Sequence, residues 1–449
     1  MRDLDSVVKA YDIRGIYPEQ IDADLCRAIG AAFARFVADG DAARDRVLVA
    51  RDMRPSGLEL VAAFTDGVLS QGLDVVDLGM CSTDMIYFAA GSLDAPGAMF
   101  TASHNPARYN GIKLCQAGAR PVGQDTGLGD IKSMVLDPPA DAPERGARSE
   151  QDVMADFVAH VHSFVDLSVM RPLKVVADTA NGMGGLVVPE AFASLPFDLE
   201  VMYPELDGNF PNHPADPIQV ENLADLRARV VETGADIGLA FDGDADRVFL
   251  VDERGEPVSG SLTTALIAIG VLEKEPGAKV IHNLICSKTV PEVVRENGGE
   301  PIRSRVGHSF IKQVMAETGA AFGGEHSAHY YFRDNWRADS GLIASLVVLE
   351  RLSRSGVPLS ELLAPLQRYA ASGEINTEVA DTAVVIEKVA AAYADQPQDR
   401  LDGLTVDLGD WWFNLRPSNT EPLLRLNLEA PTREECDAHV AEVRALFTA

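Results

Sequence analysis

The sequence repeats one pattern three times: a set of short, strand-like apolar runs ends in a polar loop. The last runs of the three sets are Ala98–Phe100, Ile237–Phe241 and Ala320–Phe322. Amphipathic stretches such as 57–71 and 290–297 lie between the runs, so each set predicts an α/β unit with a mixed or parallel sheet. Because ligands of open α/β sheets bind outside the carboxyl ends of the strands, we expect the three polar loops to face one cleft.

The remaining sequence predicts a fourth, different domain. A stretch rich in Pro, Asp and Ala, 137–146, is typical of a linker, and 368–381 is a weaker break. The last part of the chain holds three apolar runs and a helix-like stretch at 433–448, which predicts a small α+β domain with an antiparallel sheet. We therefore expect domains at 1–146, 147–253, 254–368 and 369–449, with a fold of three related α/β units plus this smaller domain.

Composition narrows the functional class. The 449 residues are 46% hydrophobic and 24% charged, as in soluble globular proteins. A net charge of −29 argues against nucleic acid or an anionic membrane as partner, because phosphate polymers need a basic surface. The five scattered cysteines indicate reduced thiols, and the chain start lacks a signal-peptide core. We expect a cytoplasmic protein that acts on a small molecule, with no obligate protein partner.

Three aspartates, Asp242, Asp244 and Asp246, alternate with small residues directly after an apolar run, and Arg247 follows. Carboxylates this close repel one another unless a cation lies among them, so the pattern predicts a metal site. Oxygen-only ligands favour a hard ion, Mg²⁺ before Mn²⁺ or Ca²⁺. An EF-hand loop is disfavoured because it needs glycine where Arg247 stands. A solvated acidic turn is the other alternative, and the flanking apolar runs argue against it.

Ser103 follows the last run of the first set, with His104 beside it. A serine in such a turn is most often a helix N-cap, although a nucleophile is the alternative. Two other segments favour chemistry with phosphate. Lys113 lies shortly after Ser103, and the segment 416–421 places an arginine beside Ser, Asn and Thr, which suits phosphate recognition.

Taken in order, these motifs resemble the four active-site loops of the α-D-phosphohexomutase superfamily. They are the Ser103 loop, the aspartate cluster, the segment around Glu325 and Ser327, and the loop that begins at Arg416. Segments 9–15 and 51–57 resemble the same superfamily, so the resemblance covers essentially the whole chain. It implies three related α/β domains and a smaller C-terminal domain around a central cleft, in agreement with the threefold pattern.

The resemblance also implies a reaction and residue roles. Ser103 would be a phosphoserine that exchanges its phosphoryl group with a hexose monophosphate, through a hexose 1,6-bisphosphate. The three aspartates, together with Ser103, would hold Mg²⁺, and Arg247 would assist. Glu325 and Ser327 would bind sugar hydroxyls. The phosphate that does not react would be anchored by Arg416, Ser418, Asn419 and Thr420.

The proton-transfer residues are less narrowly defined. Phosphoryl transfer to a hydroxyl benefits from a positioned acid or base, and five residues in the motif segments qualify. They are His104, Lys113, Arg14, His308 and His329. His308 has a structural histidine as its alternative. Lys288 is a candidate substrate contact, with an ordinary surface lysine as its alternative.

The loop 324–334 predicts the sugar. It resembles the loop of phosphomannomutases and of dual phosphomannomutase/phosphoglucomutases, but His326 departs from the residues common at that position. We expect interconversion of mannose 6-phosphate and mannose 1-phosphate, with glucose phosphates as further substrates. A phosphoglucomutase and a phosphoglucosamine mutase are alternatives. A metal-dependent sugar phosphatase and a non-catalytic sugar-phosphate sensor are more distant ones.

Overall fold

The structure, a computed structural model, describes residues 3–41, 44–417 and 423–448; the side chains of Asp125, His308 and Thr448 lie outside this description. The chain divides into two compact units. The first comprises 1–258 and 329–360, and the second comprises 259–328 and 361–449. Each unit is described by itself.

The first sheet of the first unit is mixed. Its strands are β1 (Ile13–Ile16), β2 (Arg46–Arg51), β3 (Asp74–Met80), β4 (Gly97–Phe100), β5 (Tyr109–Gln116), β6 (Arg120–Pro121) and β7 (Arg148–Glu150). Its helices are α1 (Ala23–Gly40), α2 (Gly57–Ser70), α3 (Thr83–Ser92) and α4 (Leu128–Leu136). The strand order is β1-β5-β4-β2-β3-β7, with β6 on β5. The pairing of β2 with β3 and β4 is parallel, and β4 with β5 is antiparallel.

The proline-rich segment before β7 forms no helix or strand, as expected of a linker. The chain then returns to the first sheet, because β7 pairs parallel with β3. The predicted boundary at residue 146 therefore precedes a strand that still belongs to the first sheet. The four domain boundaries stay a prediction.

The second sheet also lies in the first unit. It contains β8 (Lys174–Asp178), β9 (Asp198–Met202), β10 (Ile237–Phe241), β11 (Val248–Asp252) and β12 (Pro257–Val258), in the order β12-β11-β10-β8-β9. Its helices are α5 (Met154–His162), α6 (Gly184–Phe192) and α7 (Ala224–Thr233). Every residue of β10 is buried, which explains why this central strand is a continuous apolar run. The aspartate cluster forms the connection between β10 and β11.

The third set of elements is shared between the two units. The second unit holds α8 (Gly260–Lys274), β13 (Lys279–Asn283), α9 (Thr289–Glu296), β14 (Glu300–Ser304), α10 (His308–Thr318) and β15 (Phe322–Gly324). Strands β14 and β15 flank β13 in parallel. Strand β15 begins two residues later than the apolar run predicts. The elements that follow are β16 (Tyr330–Phe332) and α11 (Gly341–Ser355), which belong to the first unit, and α12 (Leu359–Leu363).

The C-terminal sheet is antiparallel, as predicted. Its elements are β17 (Ala370–Glu378), α13 (Thr382–Ala392), β18 (Gln398–Asp399), β19 (Leu404–Asp407), β20 (Trp412–Pro417), β21 (Leu423–Ala430) and α14 (Arg433–Thr448), and the strand order is β17-β21-β20-β19-β18. Strand β17 lies inside the segment that the sequence presents as a break. It is an edge strand without a fully buried residue, so it lacks the apolar alternation that reveals β20 and β21.

The architecture is three α/β/α domains followed by a smaller C-terminal domain, which confirms the predicted fold class. Among the described residues, no helix is long and apolar enough to cross a membrane.

Candidate active site

Ser103 lies just beyond β4 in a left-handed backbone conformation, with φ of 49°. Its backbone N–H donates to Thr101 Oγ1 at 2.9 Å, which fixes the turn. Its hydroxyl donates to Asp242 Oδ2 at 2.8 Å. Ser103 is therefore placed by its own loop against the aspartate cluster of the second sheet, within the same compact unit. This contact joins two loops that lie 139 residues apart in sequence.

The three aspartates are buried and each has a different set of partners. Lys113, on β5, donates to Asp244 Oδ2 at 2.8 Å and to Asp246 Oδ2 at 2.7 Å. Thr83, the first residue of α3, donates to Asp244 Oδ2 at 2.6 Å. Asp242 accepts from Arg247 Nη2 at 2.8 Å. Two cations therefore face three carboxylates.

The pKa values reflect this balance. Burial, opposed by Arg247, raises the pKa of Asp242 to about 7. Burial also acts to raise the pKa of Asp244, but Lys113 outweighs it and holds that pKa well below its usual range. Burial lowers the pKa of Lys113, and the charges of Asp244 and Asp246 more than offset this effect, so its pKa lies well above the usual value. Lys113 is a fixed ammonium at neutral pH.

The aspartate cluster fits a hard divalent ion. One carboxylate oxygen from each of the three residues lies within 4.8 Å of the others. Among the described residues, Asp244 Oδ1 and Asp246 Oδ1 are buried and have no hydrogen-bond partner. Buried carboxylate oxygens without donors are costly unless a cation satisfies them, and Mg²⁺ selects oxygen ligands. The arrangement supports the metal site that the alternating aspartates predict.

Arg247 connects Asp242 with His104. Its Nη2 atom lies 2.6 Å from His104 Nδ1, and it also approaches Ser103 Oγ at 3.3 Å. Because arginine only donates, His104 Nδ1 is an acceptor and the imidazole is neutral. Burial, reinforced by the charge of Arg247, lowers the pKa of His104 to about 2. The Nδ1 atom of His104 is thus already engaged in this arrangement.

Of two further candidates from the sequence, Arg14 contacts the loop that carries Ser103, and His329 lies beside the aspartate cluster. Arg14, on β1, donates to Asn105 Oδ1 at 2.6 Å and pairs with Asp12. His329 Nε2 lies 3.9 Å from Asp246 Oδ1 and 4.0 Å from Asp339 Oδ2. The first unit therefore brings together Ser103 and nearly all the predicted chemical residues.

The second unit carries the predicted sugar-binding pair. Glu325 is buried; its Oε1 accepts from the Gly307 backbone N–H at 3.1 Å, and its Oε2 accepts from Ser327 Oγ at 3.0 Å. Ser327 thus orients the carboxylate of Glu325. His326, between them, contacts Ser261 Oγ through Nδ1 at 3.0 Å, and burial lowers its pKa.

Lys288 and Arg416 are engaged within the second unit. Lys288 Nζ donates to Asp407 Oδ1 at 2.7 Å and to the Gly409 carbonyl at 2.6 Å. Arg416, on β20, pairs with Glu374 Oε2 at 2.8 Å. Each cation would have to exchange or share its carboxylate to bind a phosphate. Ser418, Asn419 and Thr420 lie outside the described residues, as does the side chain of His308, whose backbone begins α10.

The structure adds residues that the sequence did not single out. Thr83 holds Asp244, and Arg54 is a fully buried cation that donates to the Ser103 carbonyl oxygen at 2.8 Å. Arg54 stands in the segment 51–57 that contributes to the superfamily resemblance, so a signal was present. Four of its partners are backbone carbonyl oxygens, which no pattern of residue types predicts.

Comparison with known proteins identifies the family. The phosphoglucomutase/phosphomannomutase α/β/α domains I, II and III match residues 5–135, 155–255 and 259–369, and the family's C-terminal domain matches 374–446. The chain belongs to the phosphoglucomutase/phosphomannomutase family. This match confirms the predicted superfamily and the prediction of a phosphohexomutase enzyme.

Relatives in the family align over almost the whole chain. "Phosphohexose mutases" of Xanthomonas campestris pv. campestris (strain B100) is 42% identical over 427 residues, covering 94% of each chain. The phosphomannomutase of Escherichia coli (strain K12) is 39% identical over 452 residues, covering 98% of each. A crystal structure of a phosphoglucomutase/phosphomannomutase family protein from Burkholderia thailandensis superposes with a TM-score of 0.91 at 36% identity, covering 99% of this chain and 97% of that one.

Proposed function

We propose that this phosphohexomutase interconverts mannose 6-phosphate and mannose 1-phosphate, with Ser103 as the phosphoryl carrier and Mg²⁺ as the cofactor. The observation that carries the proposal is the 2.8 Å hydrogen bond from Ser103 Oγ to Asp242, at the edge of an aspartate cluster with two unsatisfied oxygens. The names of the relatives support mannose phosphate as the substrate.

The transfer has two balanced halves. In the first, the bond between phosphorus and Ser103 Oγ breaks, and a bond forms between phosphorus and a free hydroxyl oxygen of the hexose monophosphate. The hydroxyl proton passes to a base, and Ser103 is left as an alkoxide that takes up a proton. The hexose 1,6-bisphosphate then reorients so that its other phosphate faces Ser103. In the second half the bond between the other phosphorus and its sugar oxygen breaks and a bond to Ser103 Oγ forms, while Ser103 gives up its proton and the freed sugar oxygen takes one up.

The aspartate cluster would hold Mg²⁺ through Asp242, Asp244 and Asp246, with an oxygen of phosphorylated Ser103 as a further ligand. When bound, the ion offsets negative charge on the phosphoryl group as it is transferred. Lys113 keeps Asp244 and Asp246 ionised and separated, because its ammonium contacts one oxygen of each. The two other oxygens stay available for a cation.

Arg247 would stabilise the phosphoryl group in transfer. Its Nη2 atom already lies 3.3 Å from Ser103 Oγ, where the transferred group is attached. An arginine in a water-poor site is a strong donor to phosphoryl oxygens. His104 Nδ1 accepts a hydrogen bond from the same Arg247 nitrogen. We therefore propose that His104 orients the guanidinium of Arg247.

A residue near the aspartate cluster would transfer the proton to and from the sugar hydroxyl. His329 is our candidate, because its imidazole lies beside Asp246 and its side chain is 23% exposed, enough to meet a substrate. Arg14 and Lys113 would act by charge, since Lys113 stays protonated. His308 remains a candidate from the sequence.

The second unit would recognise the substrate. Glu325, held by Gly307 and Ser327, would accept hydrogen bonds from two sugar hydroxyls. Arg416, with Ser418, Asn419 and Thr420, would anchor the unreactive phosphate, and Lys288 would contribute a contact. Because this anchoring is independent of the phosphoryl carrier, the same loop can serve both substrate orientations.

Product analysis tests the proposal. Purified protein is incubated with mannose 1-phosphate, Mg²⁺ and a trace of glucose 1,6-bisphosphate. We expect mannose 6-phosphate to form, and ³¹P NMR monitors its formation. Free phosphate without mannose 6-phosphate would instead identify a sugar phosphatase, and the absence of any change would favour a sensor. Parallel kcat/KM values for glucose 1-phosphate and glucosamine 1-phosphate rank the sugars, because a single hydroxyl contact can decide selectivity.

A further inference from the structure

Arg54 lies beneath the loop that carries Ser103 and binds its backbone. Its guanidinium donates to four carbonyl oxygens: those of Ser103 (2.8 Å), Asn105 (2.6 Å), Pro106 (2.9 Å) and Tyr109 (3.0 Å). These residues span the whole turn between β4 and β5. The planar guanidinium of Arg54 therefore holds the backbone of the 103–109 loop through four hydrogen bonds.

The guanidinium is deeply buried, with 0% side-chain exposure, and its counterion is equally buried. Asp52 Oδ2 accepts from Arg54 Nε at 3.1 Å, and Asp52 Oδ1 accepts from the Arg54 backbone N–H at 2.9 Å. A buried charge is tolerated only when it is paired and hydrogen-bonded. The pair with Asp52 fixes the fork of Arg54 and points its two terminal nitrogens at the loop.

A second loop covers Arg54 from the other sheet of the same unit. The ring of Phe210 lies 5.3 Å from the Arg54 guanidinium carbon. Gly208 lies so close that a Cβ atom there would approach the Arg54 Cα to 2.7 Å. The guanidinium is thus enclosed by the loop after β9 as well as by its own domain, and it has little freedom to move.

The loop needs such a restraint. Ser103 adopts φ of 49°, a left-handed conformation that is strained for a non-glycine residue and persists only where the surroundings enforce it. The carbonyl of Ser103 is bonded to Arg54 while its hydroxyl is bonded to Asp242. Arg54 therefore holds the backbone of the residue whose side chain meets the aspartate cluster.

We propose that Arg54 is a positioning residue for phosphoryl transfer, which holds the 103–109 loop so that Ser103 Oγ faces Asp242. Arg54 itself touches neither substrate nor metal. This inference rests on the proposed function, since it concerns the rate at which Ser103 gains and loses a phosphoryl group. Lysine cannot replace Arg54, because one ammonium with three donors cannot span four carbonyls and a carboxylate.

The test compares Arg54→Lys with Arg51→Lys. Arg51 ends β2 in the same segment, yet its Nη1 donates to one carbonyl oxygen, that of Asp52, at 3.1 Å. We expect kcat of Arg54→Lys to fall about a hundredfold with KM within about twofold, since small misplacement of a reacting group has effects of this size. The rate of phosphoryl uptake by Ser103 from glucose 1,6-bisphosphate, followed by intact mass, should fall in parallel. Arg51→Lys should match the wild type.

A purely structural role gives a different result. Arg54→Lys would then melt at a lower temperature, yet each folded molecule, assayed well below its Tm, would take up phosphoryl groups at the wild-type rate. That outcome overturns the inference. If Arg54→Lys does not fold, Phe210→Ala decides, because Phe210 is itself only partly buried and its removal uncovers one face of the Arg54 guanidinium. About tenfold slower phosphoryl uptake by folded Phe210→Ala supports the inference, and an unchanged rate overturns it.

If the proposed function is wrong, the wild-type protein itself gives a different result. Wild-type protein would then show neither phosphoryl uptake on Ser103 nor conversion of a hexose phosphate. Where the wild type does both, the Arg54 and Phe210 variants test the positioning role alone.

Discussion

Gly243 and Ser103 lie so close that a Cβ atom on Gly243 would approach the Ser103 carbonyl oxygen to 2.4 Å. No real Cβ comes this near to a backbone atom, so only glycine allows the two loops to meet. The alternation of aspartates with small residues thus serves two purposes. It spaces the carboxylates, and it leaves room for the backbone of Ser103.

Gly243→Ala should therefore separate Ser103 from Asp242. We expect kcat to fall about a hundredfold, because a displacement of roughly 1 Å is enough for that effect. The free energy of unfolding should fall by about 1–3 kcal/mol from overpacking. Steady-state kinetics and urea titration measure the two effects. Gly40→Ala is the control: the added methyl group meets no atom within 4 Å, so its kinetics should match the wild type.

Ser103→Ala should abolish turnover, because the change removes the proposed phosphoryl carrier. The protein should stay folded, because only one hydrogen bond, that to Asp242, is lost. Intact mass after incubation with glucose 1,6-bisphosphate should show no added phosphoryl group. Appreciable interconversion of mannose phosphates by clean Ser103→Ala protein would contradict the carrier assignment.

Lys113→Met removes the ammonium between Asp244 and Asp246 and leaves buried carboxylates unpaired. We expect the metal-free variant to lose about 3 kcal/mol of unfolding free energy. Because loss of the ammonium leaves more uncompensated negative charge in the cluster, Mg²⁺ should raise the Tm of the variant more than that of the wild type. Thermal melts with EDTA and with Mg²⁺ measure this difference.

The control for this change is Lys132→Met, which removes a surface ion pair with Asp5 in the same domain. Such pairs contribute little, so its stability should stay within about 1 kcal/mol of the wild type and its response to Mg²⁺ should be unchanged. An equal Mg²⁺ shift in Lys113→Met and wild type would argue against metal at the aspartate cluster.

His213 predicts a pH dependence of stability. Its Nδ1 lies 2.9 Å from the Pro214 carbonyl oxygen and its Nε2 lies 3.0 Å from Asp178 Oδ2. Both partners are acceptors, so the ring is the doubly protonated imidazolium. Burial acts to lower the pKa of His213, but the hydrogen bond and charge of Asp178 outweigh it, and the pKa in the folded protein is raised.

Because the folded pKa exceeds the unfolded value of about 6.5, the stabilisation is fully present below that pH and is lost as pH rises through the folded pKa. His213→Gln should therefore destabilise the protein more at pH 5.5 than at pH 9. Urea unfolding of both proteins at the two pH values measures the difference. An equal loss at both would show that His213 is neutral in the fold.

Arg416→Ala should weaken substrate binding in both orientations. We expect KM for mannose 1-phosphate and mannose 6-phosphate to rise about tenfold or more, because a charge-assisted contact to phosphate is lost. Arg425→Ala is the matched control: Arg425 contacts the same carboxylate, Glu374, at 3.5 Å from the neighbouring strand. An unchanged KM in Arg416→Ala would remove this residue from the phosphate anchor.

The central strands and the expected chemistry of the site could both be predicted from local sequence. Strand β10 was predicted to the residue, because a strand buried on both faces must be continuously apolar. The alternating aspartates predicted a cation site for the same local reason: like charges at this spacing need a counterion. Edge strand β17 escaped prediction, since half-exposed polar residues carry no such signal.

Which side chains meet depends on the tertiary structure. Ser103 and Asp242, or Lys113 and Asp246, lie more than a hundred residues apart, and their contacts depend on how two sheets pack. Arg54 donates to four backbone carbonyls in the Ser103 loop, and because every residue possesses a carbonyl, no pattern of side chains could reveal these contacts. Residue types and their spacing indicate the local chemistry. The distances between the reacting side chains, and the directions in which they point, are set when burial of the apolar strands brings the polar loops at their ends together.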